Sequence, residues 1–165
     1  MALMNRHSQI QKTLIKNLED NWEDREDVEF VLMDINSKDG FREWIRGQNL
    51  KKYTENEYLR YYEVDSLEKW HASIGKNTAT HQARGTIVVT LDCDNFTGYR
   101  GGRFVITNFE KNGYDCVMHQ FDWNPQNGNF GRIALTKKKF DEIGGYDQSL
   151  LPMGYQDWDI IKRAE

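Results

Sequence analysis

Asp92 and Asp94 stand one residue apart in TLDCDN, directly after the β-branched run GTIVVTL. Two carboxylates that close together offer the hard oxygen donors that Mn²⁺ or Mg²⁺ takes. Side chains two apart share a face only while a strand stays extended, so a turn at Cys93 would change how the pair converges. The same pattern also closes many strands as a plain polar turn, and its surroundings must decide. Two other stretches carry comparable groups: Asn5-Arg6 follows the short start MALM, and Asp34-Ile35-Asn36-Ser37 ends VEFVLMDI. Toward the other end, Asp157 and Asp159 open a helical stretch that closes on Lys162 and Arg163. That charge order suits the helix dipole, so on composition alone Asp157 serves the helix. His119 is a lone histidine on an expected strand and reads as structural rather than as a metal ligand. Cys93 and Cys116 have neither metal-type spacing nor a disulfide framework.

The elements that must position these groups follow from periodicity. Ser8 to Gln11 reads as a capping box, and Ile10, Leu14, Leu18 and Trp22 recur at helical spacing, predicting a helix over about 8–22. VEFVLMDI (28–35) is nearly continuous in apolar residues, as a strand covered on both faces requires. A short helix at 41–47, a strand at 59–64, a helical segment over roughly 67–84 and a strand at 85–91 follow. Beyond it come a helix near 100–111, strands at 114–121 and 131–136, a short helix KKKFDEIG, a Gly-rich loop and a last helix from Asp157. Strands alternating with helices predict a Rossmann-like α/β domain with a mixed, mostly parallel sheet. In such sheets ligands bind beyond the carboxyl ends of the strands. Three strand ends bearing acids and amides therefore make one polar crevice.

Composition bounds the answer. A chain of 165 residues fits one domain. A net charge of −4 advertises no nucleic acid. No apolar run approaches the roughly 18–20 residues of a membrane span, and MALMNRHSQIQ lacks the apolar stretch of a signal peptide, so a reducing cytoplasm is the expected location. The run NLEDNWEDREDVE (17–29) holds seven carboxylates and reads as a solvated helix end.

FVLMDINSKDG, TLDCDN, KNTATHQARG and GRIALTKKKFDEIGGYDQSLLPMGYQDWDIIKRA, in that order, resemble family-2 glycosyltransferases of the GT-A fold, the last block being shared with galactosyltransferase-like enzymes. The resemblance implies a metal-dependent, inverting transfer of sugar from a nucleotide-sugar, UDP-linked in most relatives, to a hydroxyl of a carbohydrate or glycan acceptor. It makes residues 1–96 a nucleotide-binding half and residues 97–165 an acceptor-side half of a single domain. Asp94 becomes the direct ligand of Mn²⁺ or Mg²⁺, with Asp92 on the ribose or a metal-bound water. Asp34 becomes the acceptor of a base N–H, although a turn-forming role in D-x-N-S stays open. Asn5, Arg6 and Lys76 fall where the family contacts base or phosphate, Asn36 is on the nucleotide side and Cys93 would sit beside the nucleotide through its backbone, while Lys76 also reads as a solvated helix lysine. Arg100 and Arg103 carry charge suited to a diphosphate, without a spacing that assigns them.

By the same resemblance Asp157 is the general base, taking the proton of the acceptor hydroxyl. The family's Glu-Asp pair is here Gln156-Asp157, so one acid has become an amide. Gly145, Tyr146, Asp147, Tyr155, Gln156 and Trp158 would shape the acceptor pocket, with Trp158 equally read as an anchor of the helix in the core; glycines admit close backbone approach and aromatic faces pack on sugar C–H groups. A sugar nucleotidyltransferase would want a Gly-rich phosphate loop after the first strand, and MNRHSQ has no glycine. A non-catalytic or incomplete sugar- or nucleotide-binding domain is the other reading, because the fold is expected to be clipped at both ends. Exposed sheet edges would then make a homodimer one way to complete it.

Overall fold

A computed structural model describes residues 1–119 and 131–165 of the chain. Strand β1 (Ala2–Leu3) leads into helix α1 (His7–Asp20) and a 3₁₀ turn, Trp22–Asp24. Strand β2 (Phe30–Ile35), helices α2 (Phe41–Gly47) and α3 (Lys51–Thr54), strand β3 (Leu59–Val64) and helix α4 (Ala72–His81) follow. The rest comprises strand β4 (Ile87–Thr90), helix α5 (Gly101–Asn112), strand β5 (Met118–His119), strand β6 (Ile133–Thr136), helix α6 (Lys137–Glu142) and helix α7 (Gln156–Ala164).

The mixed α/β architecture expected from the sequence is present, with its parallel character confined to the first half. There β1, β2 and β3 pair side by side in parallel, while β4, β6 and β5 form an antiparallel trio with β6 in the middle. Every residue of β2 is buried, as its unbroken apolar run predicts. Its alternation sets what faces what. Phe30 and Leu32 pack with Ile10, Leu14 and Leu18 of α1, whereas Met33 and Ile35 pack with Ala79 of α4. Asp34 has the parity of Phe30 and Leu32 and falls on the face away from α4. A separate core joins Val88, Ile133, Leu135, Phe140, Tyr146, Ile160 and Ile161 beneath the second sheet.

Three boundaries differ from expectation. Helix α1 begins at His7 with no side-chain cap, so Ser8 lies inside the first turn and bonds Gln9 Oε1 rather than capping. The 67–84 segment is helical only over Ala72–His81. Of the expected strand 114–121, Met118–His119 is extended, and residues 120–121 lie outside the described residues.

Candidate active site

The first polar strand end is tied to the second and lines a cleft with the third. Asn5 and Asn36 both adopt left-handed backbone, with φ of 54° and 51°, a conformation asparagine tolerates better than most residues. The two turns are tied together: Ser37 Oγ accepts from the Asn5 amide at 2.9 Å, and Asn5 Oδ1 accepts from the Lys38 amide at 2.7 Å. Strand β4 stops at Thr90, and a turn across Cys93 and Asp94 is closed by the Asn95 amide donating to the Asp92 carbonyl at 3.0 Å. The two carboxylates therefore do not sit on an extended strand. Asp92 and Asp94 instead stand on a turn at one wall of a cleft of about 700 Å³.

That cleft gathers most of the residues singled out from sequence. Two groups distant in sequence line it: Asn5, Arg6, Lys76, Asp92, Cys93 and Asp94, and then Tyr155, Gln156, Asp157 and Trp158. Lys76 joins the two. Only 7% exposed, it donates from Nζ to Asp157 Oδ1 at 2.7 Å and lies 3.4 Å from Asp92 Oδ1. Its ammonium sits 5.4 Å from the centre of the Tyr146 ring, close enough for a cation–π contact. Burial works against the Lys76 charge, but Tyr146, Asp92 and Asp157 outweigh it and raise its pKa. Burial also pushes the Asp157 carboxyl above the usual aspartate value; Lys76 opposes this and Asp92 reinforces it. Burial, then Asp94 and Asp92, push the Cys93 thiol up to about 12, so it lines the cleft as a neutral thiol.

The predicted acceptor block is built around this lysine. Tyr146 is 1% exposed, donates from its hydroxyl to Thr90 Oγ1 at 2.9 Å and forms a floor under Lys76. Asn77, next to Lys76, staples the segment through both amide atoms, to the Tyr146 carbonyl and amide at 2.8 Å each. Gly145 makes this approach possible: its φ is +67°, and a Cβ there would lie 2.7 Å from Asn77 Oδ1. Asp147 accepts from the Ser149 amide at 2.8 Å, turning the chain toward α7. Gly145, Tyr146 and Asp147 thus stand behind the cleft wall. Tyr155 precedes α7 with φ of 67° and is 78% exposed, so a strained residue places Gln156 and Asp157 in the first helical turn.

Asp34 and Asn36 are not brought to the cleft wall. Asp34 is fully buried; one carboxylate oxygen accepts from Arg42 Nε and the other from the Ser37 amide. Asn36 donates to the Leu67 carbonyl at 3.1 Å. Arg100 and Arg103, with charge suited to a diphosphate, turn instead to Asp24 and Asp27. Trp70 and Met153 join the cleft, with Trp70 Nε1 3.0 Å from Met153 Sδ. Met153, in LLPMGY, belongs to no periodic apolar face; an apolar residue so placed was the available signal.

Among the described residues no set of three His, Cys, Asp or Glu side chains is grouped to hold a metal. A pair of carboxylates nevertheless fits a small hard cation, which keeps several waters and draws its other ligands from substrate phosphates. Asp92 and Asp94 are such a pair, on one wall of a cleft wide enough for a ligand.

Carboxylates after β4 and the acidic start of α7 are thus joined by a buried lysine, within a fold of the GT-A type. The chain belongs to glycosyl transferase family 2, whose model matches residues 1–164. Comparison with curated proteins returns no significant match. Solved structures with the same fold include the mannosyltransferase PcManGT of Pyrobaculum calidifontis in complex with GDP-Man and Mn²⁺, at 17% identity and a TM-score of 0.75, over 98% of this chain and 49% of that one. S. aureus TarS 1-349 in complex with UDP matches at 15% identity and 0.73, over 98% and 52%. GalNAc-T7 with UDP, GalNAc and Mn²⁺ matches at 14% and 0.69, over 95% and 38%. The chain spans about half the length of these structures or less. Among the described residues no helix is long and apolar enough to cross a membrane.

Proposed function

We propose that this protein is a metal-dependent, inverting glycosyltransferase that moves a sugar from a UDP-linked donor to a hydroxyl of a carbohydrate acceptor. The observation that carries the reading is Lys76, a buried cation paired with two carboxylates of the cleft, Asp92 and Asp157. The nucleotide complexes of the similar structures support a nucleotide-sugar donor, and two of them contain UDP. Mn²⁺ in the mannosyltransferase and GalNAc-T7 complexes supports a divalent cation.

Asp92 and Asp94 would hold Mn²⁺ or Mg²⁺, which when bound supplies positive charge to the leaving diphosphate. Lys76 adds a second positive charge beside the same carboxylate. Asp157 takes the proton of the acceptor hydroxyl as that oxygen attacks the anomeric carbon. The bond to the diphosphate breaks on the opposite face, the electron pair leaves with it, and configuration inverts. Burial raises the Asp157 pKa, which makes its carboxylate a better proton acceptor than a solvated one. Tyr155 and Trp158, both exposed at the rim, offer aromatic faces to the acceptor sugar. Arg6 and Asn5 take the nucleotide side.

Titration of UDP with and without Mn²⁺, followed by turnover of a UDP-sugar panel, tests the reading. Metal-dependent UDP binding with transfer supports it. Binding without transfer to any acceptor leaves a sugar-nucleotide binding domain instead, and binding indifferent to metal removes the cation.

A further inference from the structure

Glu19, Glu23, Glu26 and Asp27 of the acidic run 17–29 are solvated as expected, but Asp24 is buried, and so is a row of polar residues leading to it. Thr13, Asn17, Asn21 and Asp24 recur at helical spacing along α1 and the turn after it, and each is 3% exposed or less. All four reach across to the loop that carries the two carboxylates. Thr13 Oγ1 donates to the Cys93 carbonyl at 2.6 Å. Asn17 donates to the Asn95 carbonyl at 2.9 Å and accepts from the Thr97 amide at 2.8 Å. Asn21 donates to Thr97 Oγ1 and accepts from the Gly102 amide, both at 2.7 Å. Asp24 receives Arg100 through two nitrogens at 2.6 and 2.9 Å, and Arg103 at 3.0 Å.

Asn95 connects this face to Asp94. Its backbone is gripped by Asn17, and its amide hydrogen closes the turn onto Asp92. Its side-chain oxygen accepts from Arg132 at 2.9 Å. A guanidinium can only donate, so Arg132 fixes which way the amide faces. The nitrogen is left toward Asp94 and donates to Oδ1 at 3.1 Å. From these contacts we infer that Asn17 and Asn95 are positioning residues. Asn17 holds the turn, and Asn95 orients the Asp94 carboxylate for the cation. The inference rests on the metal-dependent reading above. Outer groups that orient a ligating carboxylate typically carry about 10–100-fold in metal affinity.

The test is the Mn²⁺ concentration at half-maximal UDP binding, read by calorimetry for the parent chain, Asn17→Ala, Asn95→Ala and Ile45→Ala. Ile45 is a core residue of α2, 4% exposed, and serves as the control for lost stability. Asn17→Ala and Asn95→Ala are expected to raise the midpoint by about 10–100-fold while leaving metal-free UDP affinity unchanged. Ile45→Ala should keep the parental midpoint despite a lower melting temperature. A parental midpoint in Asn95→Ala, which keeps the backbone contact with Asn17, overturns the inference even if Asn17→Ala fails to fold. So does an equal shift in Ile45→Ala. A parent chain whose UDP binding ignores Mn²⁺ overturns the metal-dependent reading itself, and the positioning role with it.

Discussion

Replacing Asp157 with asparagine separates the proposed catalytic use of its carboxylate from the structural one, and a loss in both is expected. Asparagine keeps the shape but takes no proton, so transfer should fall by about 10²–10⁴-fold, the usual worth of a general base. As an N-cap substitution the swap would be nearly neutral. The cap position belongs to Tyr155, however, and Asp157 lies inside the helix against a lysine that is 7% exposed. Breaking a buried pair by removing one charge costs about 3–5 kcal/mol. Two features reduce that figure: Asp92 remains 3.4 Å from the ammonium, and the asparagine carbonyl still accepts its hydrogen bond. Burial also disfavours the charge that asparagine removes, as the raised Asp157 pKa records, and about 1–3 kcal/mol is left for the buried ammonium that loses a charged partner. At about 2–4 °C per kcal/mol for a chain of this size, the melting temperature should drop by roughly 2–12 °C. Calorimetric melting and initial transfer rates are measured on the same preparation, with UDP affinity as a check on the donor side. An unchanged melting temperature would refute the argument from the buried pair. Parental transfer would remove Asp157 from proton transfer altogether.

Other substitutions read other parts of the site. Since only the ionised Asp157 accepts a proton and burial raises its pKa, the parental rate should fall toward acid with a midpoint above the ordinary value of 3.8, read from a pH–rate profile. A Cβ at Gly131 would lie 1.9 Å from Asp92 Oδ2, so Gly131→Ala should displace that carboxylate and weaken Mn²⁺-dependent UDP binding, measured by titration. Hydrogen bonds from Arg100, opposed by burial and joined by those from Arg103, hold Asp24 at about 2, below its ordinary 3.8. Its stabilisation is full above the unfolded value and lost as pH falls through about 2. Because the two arginines remain 42% and 35% exposed, solvent screening leaves about 1–2 kcal/mol, and Asp24→Asn should melt lower at pH 6 but level with the parent near pH 2. Asp34→Ala strips a buried partner from Arg42 and should lower the melting temperature; unchanged preference for uridine over other nucleotides would exclude Asp34 from base recognition.

What could be read from sequence depended on how local the cause was. The helix at 41–47 and the strand at 59–64 match their predicted bounds because periodicity and breakers act within a few residues. The D-x-D was visible as residue types, but its geometry was not, since the turn at Cys93 is held from α1, roughly 80 residues earlier. Lys76 could not be distinguished from a solvated lysine until α4 was packed against β1 and the acceptor block. Asp24 read as solvated along with the rest of the acidic run because its partners, Arg100 and Arg103, have no sequence proximity to it. Its asparagines carry no pattern beyond the spacing of four residues that any helix face shows.

The grip of α1 on residues 93–103 also has a bearing on how the chain folds. Its hydrogen bonds join partners 76–81 residues apart, so each closes a long loop, and none can form until both ends exist and the sheet between them has largely condensed. The turn that carries Asp92 and Asp94 should therefore be among the last parts to harden, after α1 and β2 have found each other across about 20 residues. Pulse-labelled hydrogen exchange during refolding would show this as protection of the β2 amides ahead of those of Thr97 and Gly102, and simultaneous protection would contradict it. A chain with this order acquires binding competence only at the end of folding, and intermediates would not sequester metal or nucleotide on the way.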